Sequence, residues 1–331
     1  MYGLRQEILE STGSASHLAN NLSIFFHETQ KLIFASVIHK NEICVLSWNQ
    51  NLISRDNLSI NPDKSNTSFS VLQAKYCMPT CRTFPLLVVA TSIGIKIYDV
   101  KTWKLLASRE MTCVKKQMRS EQVYQFNKGI TYTDNLIAVG SHLGELLVFE
   151  CLNENTIIFK QSIQEHNYAI SDMATYHFDK LTCSCDVLGD IVLWHKDFKT
   201  VQKKFSTGHE INCINILRKY IIIGTFTGQL LVYSCLNGQL MAEIHAHIRQ
   251  INAIAVAPES DYMISVSDDT MIRLWKLYTH DNETFRIEWR QNEQRENMPL
   301  VGVQFVDGCG SGFVVTAYDH YKLFYYQIVK Q

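Results

Sequence analysis

The sequence lacks a net charge of either sign. Its 31 lysines and arginines are balanced by 32 aspartates and glutamates, which gives a formal net charge of −1 at pH 7. Nucleic-acid-binding domains usually carry a clear excess of basic residues, so we expect no nucleic-acid partner. The short basic group Lys115, Lys116 and Arg119 is interpreted as part of a solvated loop, with a docking patch as the alternative.

Long hydrophobic runs are also missing. A membrane-spanning helix needs about 18 consecutive apolar residues or more, and no stretch approaches that length. The N-terminal sequence MYGLRQEILESTGS has no apolar core of the kind found in signal peptides. Because 46% of the residues are hydrophobic and 19% are charged, we predict a folded, cytoplasmic protein without membrane insertion.

Ten cysteines are present, but they lack the spacing of a zinc site. Structural zinc sites combine two pairs of ligands at short spacing. Cys77 and Cys81 have no second pair, and Cys183 and Cys185 alternate along an expected strand. We therefore expect free thiols in a reducing compartment, with no metal and no cofactor.

Catalytic motifs are missing as well. The sequence contains no G-x-S-x-G elbow, no H-E-x-x-H motif and no P-loop. The GCGSG stretch at 308–312 is followed by neither a helix nor a lysine, so it is interpreted as a hairpin loop. The adjacent Asp268 and Asp269 are expected to point apart. We therefore predict no catalytic residue and no enzymatic activity.

What the sequence does contain is one hairpin pattern, repeated. An apolar strand enters a short turn rich in glycine or aspartate, and a second strand ends on an aromatic residue, as in YIIIGTFTGQLLVY. The copies lie at 32–48, 86–98, 136–149, 181–194, 220–233, 262–275 and 313–326. Their closing aromatic residues are spaced 39 to 51 residues apart.

Seven copies at this spacing predict an all-β, seven-bladed β-propeller that occupies residues 1–331 as a single domain. Repeats of about 40 to 45 residues with hairpins and little helical periodicity are typical of propeller blades. A blade is apolar on both faces, so blades must stack around an axis to bury them. The strand-like LRQEILE at 4–10 is expected to close the ring by pairing outside the last hairpin.

Residues 238–277 resemble a complete WD repeat, so the chain resembles the WD-repeat β-propeller family. The stretch has a Gly-His-like dipeptide at Ala246-His247, SDD in the turn and a tryptophan that closes the third strand. This resemblance implies a hydrogen-bonded chain that stabilises the fold. Its members would be His247, Ser265 or Ser267, Asp269 and Trp275.

Other repeats depart from that pattern. The repeat at 208–233 keeps Gly208-His209, but Thr227 replaces the turn aspartate. The repeat at 166–194 keeps His166 and Trp194 but has Leu188 in the turn. We expect such blades to depend on packing more than on polar networks.

These features favour a non-catalytic scaffold that binds proteins or peptides within an intracellular, multi-subunit assembly. A propeller presents loops on a rigid frame. The candidate partner-binding loop residues are His142, Tyr168, Phe226, Arg249 and His320. The polar stretches 49–70 and 288–299 are interpreted as an insertion and an exposed connection, and either could dock a partner.

Three alternatives stay open. Divergent WD-repeat proteins often work in ciliary or cytoskeletal complexes, which is an analogy at the level of the fold. Substrate receptors of cullin-type ubiquitin ligases often carry Trp-Asp-x-Arg, which only Tyr98-Asp99-Val100-Lys101 approaches. An enzyme or metabolite binder that uses the central channel is the least favoured.

Overall fold

The repeated apolar runs fold as β-strands arranged around a central axis. The computed structural model describes residues 1–9, 14–49, 54–60, 69–110, 126–278 and 285–329. Within these ranges the regular secondary structure is all strand, in seven four-stranded antiparallel sheets. Each sheet is one blade, and the innermost strands of neighbouring blades contact one another around the ring. The predicted all-β, seven-bladed fold is confirmed.

Each blade uses four strands, which follow one another from the axis outward. Blade 1 comprises β2 (Ser23–His27), β3 (Leu32–His39), β4 (Glu42–Asn49) and β5 (Ser54–Ile60). Blade 2 comprises β6 (Val71–Cys77), β7 (Leu86–Thr91), β8 (Gly94–Asp99) and β9 (Leu105–Glu110). Blade 3 comprises β10 (Asn127–Thr133), β11 (Leu136–Ser141), β12 (Glu145–Cys151) and β13 (Ile157–Gln164). Blade 4 comprises β14 (Ile170–Tyr176), β15 (Leu181–Asp186), β16 (Asp190–Trp194) and β17 (Val201–Ser206).

The remaining blades follow the same order until the ring closes. Blade 5 comprises β18 (Ile211–Leu217), β19 (Tyr220–Thr225), β20 (Gln229–Ser234) and β21 (Leu240–His245). Blade 6 comprises β22 (Ile251–Ala257), β23 (Tyr262–Ser267), β24 (Met271–Tyr278) and β25 (Arg286–Gln294). Blade 7 comprises β26 (Leu300–Phe305), β27 (Gly312–Ala317), β28 (Lys322–Ile328) and, outermost, β1 (Tyr2–Leu9).

The N-terminal strand closes the ring, as predicted. β1 pairs antiparallel with β28, with Tyr2 opposite Ile328. The Tyr2 ring is buried against Phe313 at 5.1 Å, and its hydroxyl donates to the carbonyl of Gly310. The side-chain amide of Gln291, on β25, exchanges two hydrogen bonds with the backbone of Tyr2, at 2.9 and 2.7 Å. Blade 6 is thereby connected to the closing strand of blade 7.

Burial explains the apolar pattern of the repeats. The second strands β7 and β19 are buried at every position, because both faces of a blade lie against neighbouring blades. The outer strand β17 alternates between half-buried and exposed residues, since it lies at the edge of its sheet. The hydrophobic core therefore lies in layers between blades, away from the axis.

The inner strands carry polar side chains that join each blade to the next. At every junction of the ring a side chain makes a hydrogen bond with the neighbouring inner strand. The pairs are Gln304 with Ile24, Ser23 with Tyr76, Gln73 with Gly129, Thr131 with Thr175, Asp172 with Ile214, Asn215 with Ile254 and Asn252 with Leu300. Buried polar groups require such partners, so the axis is surrounded by a ring of satisfied polar contacts.

Antiparallel order divides the loops between two faces. The turns between second and third strands, and the connections between blades, emerge at one end of the blades, which we call the upper face. The remaining turns emerge at the other end, the lower face. The interpretation of 288–299 as a connection was wrong in part, because residues 286–294 form β25. In the stretch 49–70, residues 54–60 form β5, and residues 50–53 and 61–68 lie outside the described residues.

Candidate functional site

The turn of blade 6 brings four polar side chains into one buried chain. The Nδ1 atom of His247 lies 3.0 Å from each carboxylate oxygen of Asp269. Its Nε2 atom lies 2.8 Å from the hydroxyl of Ser265. The indole N–H of Trp275 donates to the same hydroxyl at 3.1 Å. His247 and Trp275 are each 5% exposed, so these groups depend on one another for hydrogen bonding.

A neutral imidazole satisfies every member of this chain. Trp275 donates to Ser265, and the Ser265 hydroxyl then donates to Nε2 of His247. Nδ1 of His247 keeps its proton and donates it to Asp269. A neutral histidine has one donor and one acceptor nitrogen, which is the combination required in this turn. We propose that the chain acts as a structural brace.

Asp269 also holds the turn. Its carboxylate accepts the backbone N–H groups of Met271 at 3.0 Å and Ile248 at 3.2 Å. Burial alone would raise the pKa of Asp269, but the hydrogen bonds from His247 and these amides outweigh it and lower the pKa. The carboxylate is therefore kept ionised, which suits an acceptor and does not suit a general acid.

The two serines offered by the sequence have different positions. Ser265 is the member of the polar chain. Ser267 lies outside the chain: its hydroxyl accepts the N–H of Asp269 at 3.1 Å and donates to the carbonyl of Arg249 at 3.2 Å. Ser267 therefore connects the turn to the loop before β22.

The acidic pair is divided between two networks. Asp268 accepts hydrogen bonds from the amides of Gln250 at 2.8 Å and Asn252 at 2.7 Å. His17, from the segment before β2, lies 3.0 Å from the same carboxylate. Asp268 and Asp269 therefore bind different partners and do not form a joint acid–base site.

Blade 4 contains a second complete chain, which the sequence reading missed. Nε2 of His166 lies 2.7 Å from Ser184 Oγ, and the indole N–H of Trp194 donates to that oxygen at 2.9 Å. Nδ1 of His166 lies 3.3 Å from Asp186. The expectation that Leu188 removes the carboxylate from this blade was wrong, because Asp186 supplies it from the end of β15.

The two polar chains differ in the sequence position of the carboxylate. Asp269 stands six residues before its tryptophan, whereas Asp186 stands eight residues before Trp194. Asp186 thereby occupies the position of Ser267 and accepts the N–H groups of Leu188 and Asp190 at 3.1 and 3.0 Å. Although burial opposes it, the bond from His166 and these amides lower the pKa of Asp186. The signal in the sequence was Ser-x-Asp, with the serine ten residues before the tryptophan.

Blade 5 has no such chain among its described residues. Thr225 and Thr227 bond to each other at 3.0 Å, and Thr225 accepts the N–H of Gln229 at 2.9 Å. Within the described ranges the structure records no hydrogen bond to the imidazole of His209. The second strand of this blade, β19, is buried at every position.

All of the candidate partner-binding loop residues lie on the upper face. Tyr168, Phe226 and Arg249 are exposed. His142 is half-buried against Phe126, at 6.0 Å between ring centroids, and burial lowers its pKa. His320 stacks on the neighbouring Tyr321 at 5.5 Å and accepts the N–H of Lys322, so it is engaged within its own turn.

The same face carries apolar side chains that the sequence reading did not select. Together with two of the candidates they form what we call the apolar arc, across blades 3 to 6. Its members are Leu143, Tyr168, Leu188, Phe226 and Ile248, exposed by 42% to 86%. Large apolar residues at the tips of loops, where polar residues are usual, were the available signal.

Backbone hydrogen bonds connect the loops that carry the apolar arc. Each second-to-third-strand turn bonds to the blade connections beside it. The bonds run from His166 to Gly144, Val187 to Ala169, Thr207 to Gly189, Phe226 to Glu210 and His247 to Gly228, at 2.9 to 3.4 Å. The arc is therefore displayed on a continuous, ordered belt.

The described part of the chain offers neither a metal-ligand cluster nor a membrane-spanning helix. Among the described residues, no three potential His, Cys, Asp or Glu ligands cluster around a common point. Within the same ranges, no helix is long and apolar enough to cross a bilayer. Lys115, Lys116 and Arg119 lie outside the described residues.

The stretch compared with the ligase-receptor motif lies in blade 2. Asp99 is 7% exposed and accepts hydrogen bonds from Arg82 at 2.5 Å and from Thr102. Arg82 is itself buried. Lys101 occupies the position of the arginine in that motif, so the positive charge is kept but the guanidinium group is replaced by an ammonium group.

Known proteins resemble this chain in sequence along nearly its whole length. The model of the WDR54 family matches residues 3–329. WD repeat-containing protein 54 of Homo sapiens is 25% identical over 329 residues, which covers 93% of this chain and 94% of the human protein. WD repeat domain 54 of Rattus norvegicus is 25% identical over 331 residues and covers 95% of this chain and 96% of the rat protein.

A solved structure has the same fold. A chain of the "Crystal Structure of Mitotic Checkpoint Complex" superposes with a TM-score of 0.75, covering 99% of this chain and 92% of that chain. The sequence identity is 13%, so this likeness concerns the fold alone.

Proposed function

The chain belongs to the WDR54 family of WD-repeat proteins, and from this membership we propose that it is a non-catalytic scaffold. In this proposal it binds a protein or peptide partner on its upper face, within a cytoplasmic assembly. The polar chains of blades 4 and 6 maintain the frame, and the loops of the upper face make the contact.

The observation that carries the proposal is the apolar arc. Exposed apolar residues that occur singly are normal, but several at the tips of neighbouring loops on one face are typical of interaction sites. Aromatic and large aliphatic side chains also dominate the centres of protein interfaces. Tyr168 and Phe226 supply aromatic rings, and Ile248 is 86% exposed.

The belt under the arc favours binding with little reorganisation. Gly144, Gly189 and Gly228 adopt positive φ values of 82°, 101° and 86°. A Cβ atom on any of them would approach a carbonyl of the next blade connection to within 2.2 to 2.3 Å. Only glycine fits these turns, and the resulting close contacts hold the loops in place. Preformed loops lose little entropy on binding.

The roles of the carboxylates support a non-catalytic reading. Asp186 and Asp269 hold turns, and Asp268 holds Gln250 and Asn252. The pKa values of Asp186 and Asp269 are lowered by these hydrogen bonds, away from neutral pH, which makes both groups poor proton carriers.

The experiment is affinity purification with mass spectrometry, comparing two double variants of the full chain. Phe226→Glu with Ile248→Glu places charge in the apolar arc. Phe178→Glu with Leu236→Glu places the same charge on the lower face, where these residues are 66% and 77% exposed. We expect the upper-face variant to lose partners that the wild type and the lower-face variant retain, because a charge buried without a partner opposes docking.

Two results would contradict this proposal. One is retention of every partner by the upper-face variant at wild-type enrichment. The other is the absence of any stable protein partner of the wild type. Recovery of ciliary, cytoskeletal or ubiquitin-ligase subunits would identify the assembly, and matched thermal unfolding of both variants is the control for folding.

A further inference from the structure

A small cavity lies on the axis, enclosed by the innermost part of all blades. Its volume is about 80 Å³. One water occupies about 30 Å³ in the liquid, so the space accepts a few waters or one small polyatomic ion. The lining is mixed, with apolar residues such as Ile254 and Val303 beside Lys75, Asn215 and Gln304.

A polar contact crosses the axis at the end of the cavity nearer to the upper face. The amide of Asn20, in the segment before β2, donates to Asp172 of blade 4 at 2.6 Å. Asp172 is 2% exposed and also accepts the N–H of Ile214 at 3.0 Å. At the other end His177 follows β14 on the lower face, where part of its side chain reaches solvent. His177 therefore marks the end of the cavity nearer to the lower face.

Lys75 is the one side chain with a fixed positive charge among the described residues that line the cavity. No hydrogen bond or ion pair joins its ammonium group to a protein atom within the described ranges. Asp172, the carboxylate in the lining, is directed to Asn20 and Ile214. Burial raises the pKa of Asp172, and the ammonium groups of Lys75 and Lys128 only partly oppose that rise, so Asp172 is a weak counter-ion that acts on Lys75 through space, without a hydrogen bond.

Neutral donors surround the same space. The amide oxygens of Gln73 and Gln304 accept the backbone N–H groups of Gly129 and Ile24, so the orientation of each amide is set. Each amide keeps its NH₂ group, which is a donor only. Tyr132 packs on His177 at 4.4 Å between ring centroids.

We propose that this cavity binds a small oxyanion, a carboxylate or a phosphate, with Lys75 as its charge partner and the amides of Gln73 and Gln304 as neutral donors. A cation without a hydrogen-bonded acid and preset donors together form the environment that an oxyanion prefers. The site does not depend on protein docking at the upper face, so a failure of this proposal would leave the proposed scaffold function untouched, and the reverse also holds.

His177 supplies a reporter for the site. His177 is exposed, but its packing on Tyr132 partly desolvates the ring, and this desolvation, followed by the Lys75 ammonium, lowers the pKa of His177. An anion beside Lys75 offsets that ammonium, so the pKa of His177 rises when the site is filled. Removal of the ammonium also raises this pKa in the unliganded protein, which locates Lys75 beside the ring independently of any ligand.

The test is NMR of the full chain with labelled histidine, titrated with inorganic phosphate and with acetate. We expect saturable shifts of the His177 signals with at least one of these ions. Lys75→Met should weaken the affinity by roughly tenfold to a hundredfold, the effect of losing a charge-assisted hydrogen bond. Lys128→Met is the charge-matched control, because the Lys128 ammonium acts on Asp172 as that of Lys75 does, but Lys128 does not line the cavity.

Several outcomes decide the matter. Absence of saturation with both ions overturns the proposal, as does equal affinity in the wild type and Lys75→Met. Lys75→Arg, which keeps the charge, should retain binding and is the variant to use if the methionine variant unfolds. Titration with a blocked Gly-Glu-Gly peptide distinguishes two sources of the ligand. If the peptide also gives saturable shifts of the His177 signals, the ligand is a carboxylate presented by a polypeptide. If acetate or phosphate binds but the peptide does not, the ligand is a free anion.

Discussion

Substitution of Asp269 by alanine tests the brace in blade 6. The substitution removes the acceptor of His247 Nδ1 and the bonds to the N–H groups of Ile248 and Met271. His247 is 5% exposed, so its Nδ1–H is a buried donor that loses its acceptor. A buried donor without an acceptor costs about 1 to 3 kcal/mol. Ile248 is exposed and its N–H can bond to water, so we expect a total loss of about 2 to 3 kcal/mol.

The assay is urea denaturation followed by circular dichroism and tryptophan fluorescence. With a slope of about 2 to 3 kcal/mol per molar urea, the midpoint should fall by about 1 M. Asp179→Ala is the matched control. Asp179 is an exposed aspartate in a turn of the lower face, and exposed substitutions of this kind change stability by less than about 0.5 kcal/mol.

The effect should also depend on pH. The folded pKa of Asp269 is lowered below its ordinary value of 3.8. The stabilisation by this carboxylate is therefore fully present above about pH 4 to 5 and is lost as the pH falls through the folded pKa. The difference between wild type and Asp269→Ala should be constant near neutral pH and should shrink in acid. Equal midpoints for Asp269→Ala and Asp179→Ala at pH 7 would refute the reasoning.

Two further predictions concern the second brace and the closure of the ring. Asp186→Ala should lower the urea midpoint about as much as Asp269→Ala, whereas Leu188→Ala should change the free energy of unfolding by less than about 0.5 kcal/mol. A larger loss of stability in Leu188→Ala than in Asp186→Ala would contradict the role assigned to Asp186. Tyr2→Ala should destabilise the protein by about 3 kcal/mol, because it removes a buried ring and its hydrogen bond. Leu4→Ala, at a half-exposed position of the same strand, is the control, and equal melting temperatures of the two variants would contradict closure by β1.

Much of the fold was accessible from the sequence because the repeats impose it. Every hairpin ends on an aromatic residue after an apolar run, and such runs cannot be buried by one blade alone. The closing role of the N-terminal strand followed from the same reasoning about exposed edges. The WD-repeat resemblance was confirmed by the match to residues 3–329.

The polar chains were accessible only in part. In blade 6 the motif identified His247 and Asp269 but left Ser265 and Ser267 as alternatives. In blade 4 the alignment on the tryptophan placed Leu188 at the acidic position, and Asp186 was overlooked. The carboxylate can reach its histidine from either of two positions, because the last residue of the second strand (Asp186) and a residue of the following turn (Asp269) both lie within hydrogen-bond distance. A sequence motif with one fixed acidic position does not allow for both alternatives.

The sequence by itself determined the architecture, since strand periodicity, turn residues and repeat spacing are local properties and each copy reinforces the others. Tertiary structure decided what the loops and inner strands do. The apolar arc joins residues from four blades, Leu143 to Ile248, and exists only because antiparallel order brings their loops to one face. The axial cavity combines side chains from distant strands, with Lys75 near His177. Such juxtapositions depend on the closure of the ring, and no short stretch of sequence encodes them.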